Sequence, residues 1–137
     1  MNAPDWLTAK VRQWMNRVGP RGWSWLVNVE RLVHGDESAA GDCEREAPYN
    51  RVIFTFADYL TEDNEYIDEY VLHECLHAMH TSLDYVVEQV IIPQLPYEAR
   101  EMAEEMYLLV YEQMIHELTL NLLEWNKERQ EQASDEL

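Results

Sequence analysis

Positive charge is what this chain has least of. Ten Lys and Arg stand against 27 Asp and Glu, a formal net charge of -17 over 137 residues. A surface so acidic repels phosphate backbones and anionic lipid, so no nucleic acid and no membrane is expected as a main partner. Cysteine is scarce as well. The two present, Cys43 and Cys75, are too few for a disulfide framework and read as free thiols. No apolar run reaches the ~20 residues of a membrane-spanning helix. The opening stretch MNAPDWLTAK lacks the apolar centre of a secretory signal, so a cytoplasmic protein is expected. The few cations are unevenly placed. Lys10, Arg12, Arg17 and Arg21 crowd the first segment and the second half is mostly acidic, which leaves either mutual attraction or two solvated faces.

What is present suffices for a core, with 47% of residues hydrophobic. The length suits one domain, 1–127, followed by a polar tail, 128–137, expected to fray. Leu7, Val11, Trp14, Met15 and Val18 recur at helical spacing and predict a helix over 4–18, ended by Gly19–Gly22. Trp23–Val33 alternates with a period of two and Arg51–Leu60 is β-branched and aromatic, so each reads as a strand. The polar stretch between them, 34–48, reads as a loop. Thr61 or Asp63 offers a cap for a long helix from about Glu65 to Ile92, which Pro93 stops. After the turn Pro93–Pro96, a second long helix is expected from Tyr97 to Lys127. Met102, Met106, Leu109, Met114, Leu118 and Leu122 supply its apolar positions. The fold class is α+β: an N-terminal helix, a short antiparallel sheet of two or three strands, then a two-helix hairpin.

The first long helix contains VLHECLHAMH, residues 71–80, with three of the five histidines. His73-Glu74-Cys75-Leu76-His77 is H-E-x-x-H, and residues four apart share a helix face. Both imidazoles can therefore bind one Zn2+. Glu74 can take the proton of the attacking water. Catalytic zinc needs a third protein ligand. Folding the two helices back at the turn, with equal rise per residue, sets His77 against Glu112 and His73 against His116. Glu112 is the expected third ligand and His116 its rival. If Glu112 ligates, His116 is free to orient a ligand or to hydrogen-bond a reacting oxyanion. His80 reads as a cavity-lining neighbour or a surface residue, and Asp84 as a solvated acid. Tyr66, Tyr70, Tyr107 and Tyr111 fall near the seam and read as packing residues.

HECLH resembles the zinc-binding helix of the zincin metallopeptidases. YEQMIHEL, 111–118, is similar to the second helix of the gluzincins, where a glutamate completes the site. The layout resembles the small zincin-like proteins of phage and bacterial genomes over roughly 23–123. The resemblance implies zinc held by His73, His77 and Glu112, Glu74 as general base, and a peptide or protein substrate pairing with the strand near Val52–Phe56. The metzincin continuation is absent: His80 stands at its glycine and Leu83 at its third histidine. The NExxSD-type helix of thermolysin-like enzymes is absent too.

Two other readings stay open. An acidic binding protein would carry structural zinc or none. A di-iron carboxylate protein could use Glu74-x-x-His77 as one ligand pair, but Gln113 stands where the second pair needs its glutamate. Neither the particular substrate nor an oligomeric state follows from the residues.

Overall fold

A computed structural model of the chain describes residues 2–31, 40–46 and 50–135. Helix α1 spans Asp5–Val18 and turns Leu7, Val11, Trp14 and Met15 inward. Strands follow at Ser24–Glu30 (β1), Gly41–Glu46 (β2) and Arg51–Ala57 (β3). They form one sheet in the order β1-β3-β2. In β3, Val52, Phe54 and Phe56 are fully buried at alternate positions, the period-two pattern of a strand with one core face.

The sheet is mixed, which corrects the antiparallel expectation. β2 pairs antiparallel with β3, and β1 pairs with β3 in parallel. The cause lies in the stretch read as a loop. Its Gly41–Glu46 part returns directly beside β3, so β1 is left the opposite flank with its direction unchanged. The remainder of that stretch, 34–39 and 47–48, lies outside the described residues apart from Ala40. Asn50, before β3, has φ 49°, a left-handed conformation that Asn tolerates better than most residues.

The expected 65–92 helix is divided. Helix α2 spans Ile67–Met79 and α3 spans Thr81–Val86. Val87–Ile91 widens into a π turn, and Pro93 sits in a closing 3₁₀ turn, Ile92–Gln94. The break falls at His80. Its backbone N–H is shared between the Leu76 and His77 carbonyls at 3.2 Å each, and its ring Nδ1 donates to the Leu76 carbonyl at 2.7 Å. A side chain competing for a helical carbonyl interrupts the ladder there. The start differs as well. Neither Thr61 nor Asp63 caps α2. Asn64 Oδ1 accepts from the Tyr66 N–H at 2.9 Å, while Thr61 donates to Asp63 within the loop.

Helix α4 runs from Tyr97 through Asp135. Arg100 braces the turn before it, donating to the Leu95 and Pro93 carbonyls. The inward stripe of α4 is Tyr111, Ile115 and Thr119, spaced by four. Met102, Met106 and Leu109, among the expected apolar positions of this helix, are exposed, because that stripe turns a different face to α2. α2 is the central helix, in contact with α1, α4 and β2. No described helix is long and apolar enough to cross a membrane.

Candidate metal centre

Two helices and one edge strand meet at the candidate site. On α2, Val71, Leu72, Cys75, Leu76 and Ala78 are at most 2% exposed. This packing fixes the helix about its axis. His73 and His77, four apart, then fall together on the face that α4 covers. Across the seam, burial of Tyr111 and Ile115 fixes α4 and places Glu112 at the edge of its inward face.

The three side chains converge. The two Nε2 atoms of His73 and His77 lie 3.2 Å apart. Glu112 Oε1 is 3.2 Å from His77 Nε2, and its Oε2 is 3.5 Å from His73 Nε2. With one donor atom taken from each residue, all three lie within 4.8 Å of one another. Neighbouring donors in a tetrahedral zinc site with bonds of about 2.0–2.1 Å stand about 3.3 Å apart. The imidazole pair already has that spacing. Two ring nitrogens this close need a hydrogen or a metal between them, and the carboxylate beside them favours positive charge there. Burial pulls the His73 imidazole down, but its hydrogen bond to Glu112 and the charges of Glu74, Glu112 and Glu69 outweigh this and raise it. The same hydrogen bonds, to His73 and His77, hold the Glu112 carboxyl far below the usual carboxylate range.

Glu74 lines the same cleft, about 280 Å3, together with Gly41, Asp42, Cys43, Arg45 and the three clustered residues. It is 8% exposed. Burial raises its carboxyl, against the lowering pull of His77 and His73. Gly41 lets β2 come this close. A Cβ there would lie 3.0 Å from the Phe56 ring and 3.2 Å from Glu74 Cγ. A second cleft of about 290 Å3 adjoins along β2, shared through Gly41, His73 and Glu74 and extended by Tyr70. Cys43 also faces the cleft. Burial, and then the Glu74 charge, push its thiol well up.

Behind the cluster lies a polar network that the sequence pattern does not mark. The Tyr111 hydroxyl is 3.2 Å from His77 Nδ1. Arg45 Nη1 donates to the His77 carbonyl at 3.2 Å and to the Tyr111 hydroxyl at 3.3 Å. Arg45 also forms an ion pair with Asp84, which accepts from the Tyr107 hydroxyl. Tyr107 stacks on Tyr111 with centroids 5.6 Å apart. Asp84, read as a solvated acid, is 5% exposed. The correction follows from Arg45, which supplies the charge that lets a carboxylate stay buried. The one signal in the sequence is the alternation of Gly41, Cys43 and Arg45 with Asp42 and Glu44, too short to stand out.

His116 is exposed on α4, four residues and about 6 Å of helix beyond Glu112. Among the described residues the converging donors are His73, His77 and Glu112, without His116. His80 edges onto Tyr111 at 5.9 Å between centroids and ends α2. Tyr66 is exposed. A di-iron site needs several carboxylates around its two metals, and this cluster offers one.

This spacing matches an HExxH-type zinc-binding motif typical of gluzincin metallopeptidases. The chain matches no family model, no curated protein and no solved structure. The HExxH spacing with a third acidic donor supports a hydrolase- or peptidase-like active site rather than a purely structural domain. The arrangement of N-terminal helix, short mixed sheet and C-terminal helices carrying the cluster is consistent with a zincin-like α+β fold.

Proposed function

We propose that the chain is a zinc-dependent peptidase, with His73, His77 and Glu112 as the metal ligands and Glu74 as the general base. The observation that carries this reading is the convergence of two imidazoles and one carboxylate in a cleft that also contains a separate, buried glutamate. Two nitrogens and one carboxylate oxygen are the donor set of an open catalytic zinc site, in which a fourth position is left free. Zinc supplies a Lewis acid that acidifies water and polarises a carbonyl.

The rest of the chemistry falls to the chain itself. Glu74 sits in a poorly solvated pocket whose raised carboxyl pKa suits taking a proton from water and passing it to a leaving amine. Tyr111 orients His77 through Nδ1, so that Nε2 is presented to the cleft. The substrate expected along Val52–Phe56 cannot pair there. β3 is the central strand and its backbone is paired on both sides. β2 is one of the two edge strands of the sheet and the one that borders both clefts. An extended peptide lying along β2 would bring its carbonyl past Glu74. Two free thiols, Cys43 and Cys75, suit a reducing, cytoplasmic setting.

The test is hydrolysis of a mixed peptide library by zinc-loaded protein, read by mass spectrometry, beside Glu74→Gln. Cleavage by the parent and none by the variant supports the reading. Intact peptides with the parent fully loaded would reject it.

A further inference from the structure

Two of the four cations of the opening segment, Arg17 and Arg21, reach one cleft in the fold. Where the end of α1 meets the last third of α4, a cleft of about 600 Å3 opens. Its lining includes Trp14, Arg17, Arg21, Trp125, Asn126 and Arg129 and, among the described residues, no Asp or Glu. Acids outnumber bases 27 to 10 in this chain, so a cleft with three arginines and no acid among its described lining residues runs against its composition. Lys10, Arg45 and Arg51 each have a carboxylate partner. Among the described residues, Arg17, Arg21 and Arg129 form no such ion pair.

Two of the three guanidinium groups, those of Arg17 and Arg129, lie over aromatic rings instead. Arg17 lies over Trp14, 5.3 Å from its centroid, and donates to Asn126 Oδ1. Arg129 lies over Trp125 at 4.9 Å. Trp125 is 54% exposed, on a stretch of α4 that is otherwise polar. Like charges gathered without acids repel one another, and an incoming anion relieves that repulsion. Guanidinium forks match the oxygens of phosphate. An exposed indole offers a flat face for an aromatic ring, and Asn126, whose Oδ1 accepts from Arg17, has amide N–H groups that can donate to a ring edge. The volume lies within the range of small-molecule sites.

We propose that this cleft binds a small anion built on a flat aromatic ring, of the nucleoside-phosphate class, with the phosphate on Arg17, Arg21 and Arg129 and the ring against Trp125. The net charge of -17 repels a polyanion extending beyond the cleft, so a single nucleotide fits better than a nucleic acid strand. Thirteen residues of α4, about 20 Å of helix, separate Trp125 from Glu112, so the site is distinct from the metal cluster and does not depend on it.

The experiment is calorimetry and tryptophan fluorescence on the full chain with adenosine 5′-diphosphate. EDTA is kept present so that no metal can hold the phosphates. Adenosine and inorganic phosphate are run as separate ligands. The expected result is saturable binding of the diphosphate with fluorescence quenching. Loss of one charged hydrogen-bonding partner should weaken it roughly tenfold in Arg129→Ala and in Arg21→Ala. Trp125→Leu should remove most of the quenching, and adenosine and phosphate should each bind at least about tenfold more weakly. All three positions are exposed, so circular dichroism should show the parent fold in each variant. No saturable binding at millimolar diphosphate would overturn the proposal. So would affinity unchanged in the arginine variants, or phosphate binding as tightly as the diphosphate.

Discussion

Tyr111 stands behind His77, its hydroxyl 3.2 Å from Nδ1 on the side of the ring away from His73 and Glu112. The neighbouring residue in sequence, Glu112, approaches the same imidazole from the other side. One turn of α4 thus supplies both a partner for the ring and a carboxylate for the cleft. Outer partners of this kind typically contribute 10–100-fold in metal affinity. Tyr111→Phe keeps the buried ring and removes only the hydroxyl. It should lower zinc affinity by roughly that factor, measured by competition with a chromophoric chelator, with little change in the fold.

Arg45 and Asp84 tie the edge strand to the start of α3. Asp84 is almost fully buried, and removing one partner of a buried ion pair leaves the other charge uncompensated. Asp84→Ala should therefore cost roughly 3–5 kcal/mol, read from urea denaturation of the metal-free protein. Replacing both together, Arg45→Met with Asp84→Leu, should recover most of the loss. Equal damage from the single and the double variant would show that the pair acts in some other way.

Glu74 carries opposite consequences for stability and for turnover. Burial raises its carboxyl, so the folded chain holds that proton more tightly than the unfolded chain does. The resulting penalty is absent below the unfolded value of ~4.3 and complete above the raised folded value. Glu74→Gln should make the metal-free protein more stable at neutral pH, with the difference closing as pH falls. The same variant should retain metal and lose hydrolysis.

His73 and Glu112 give a window of pH. His73 is raised, so its contribution to stability is present below ~6.5 and lost as pH rises through the folded value. Glu112 is lowered, so its contribution is present above ~4.3 and lost as pH falls through the folded value. The contact therefore stabilises the metal-free chain most between those limits. Histidine titration by NMR should show His73 above its ordinary value, and Glu112→Gln should bring it down.

Much of the site is legible in the sequence because helices translate spacing into position. His73 and His77 share a face by their separation alone. The turn at Pro93–Pro96 brings Glu112 to their level by equal rise on two antiparallel helices. α1 and β3 are legible through Leu7-Val11-Trp14 and Val52-Phe54-Phe56, which keep one period throughout. β2 is not. Its inward positions are Gly41, Cys43 and Arg45, a close-approach glycine, a thiol and an ion-paired base, so no apolar alternation marks it. Because β2 carries no such mark, the mixed sheet, the Arg45–Asp84 pair and the edge beside the cleft are not legible either. The break at His80 was hidden for a similar reason, since a ring bonding back to its own helix leaves no periodic trace.

The central claim is that His73, His77 and Glu112 hold one metal ion. It is tested most directly by metal content, measured by mass spectrometry on protein purified without a metal-binding tag, beside His77→Ala and Glu112→Ala. The account predicts close to one zinc per chain in the parent and sharply less in both variants. No zinc in the parent after zinc is offered, or full zinc retained by Glu112→Ala, would contradict it.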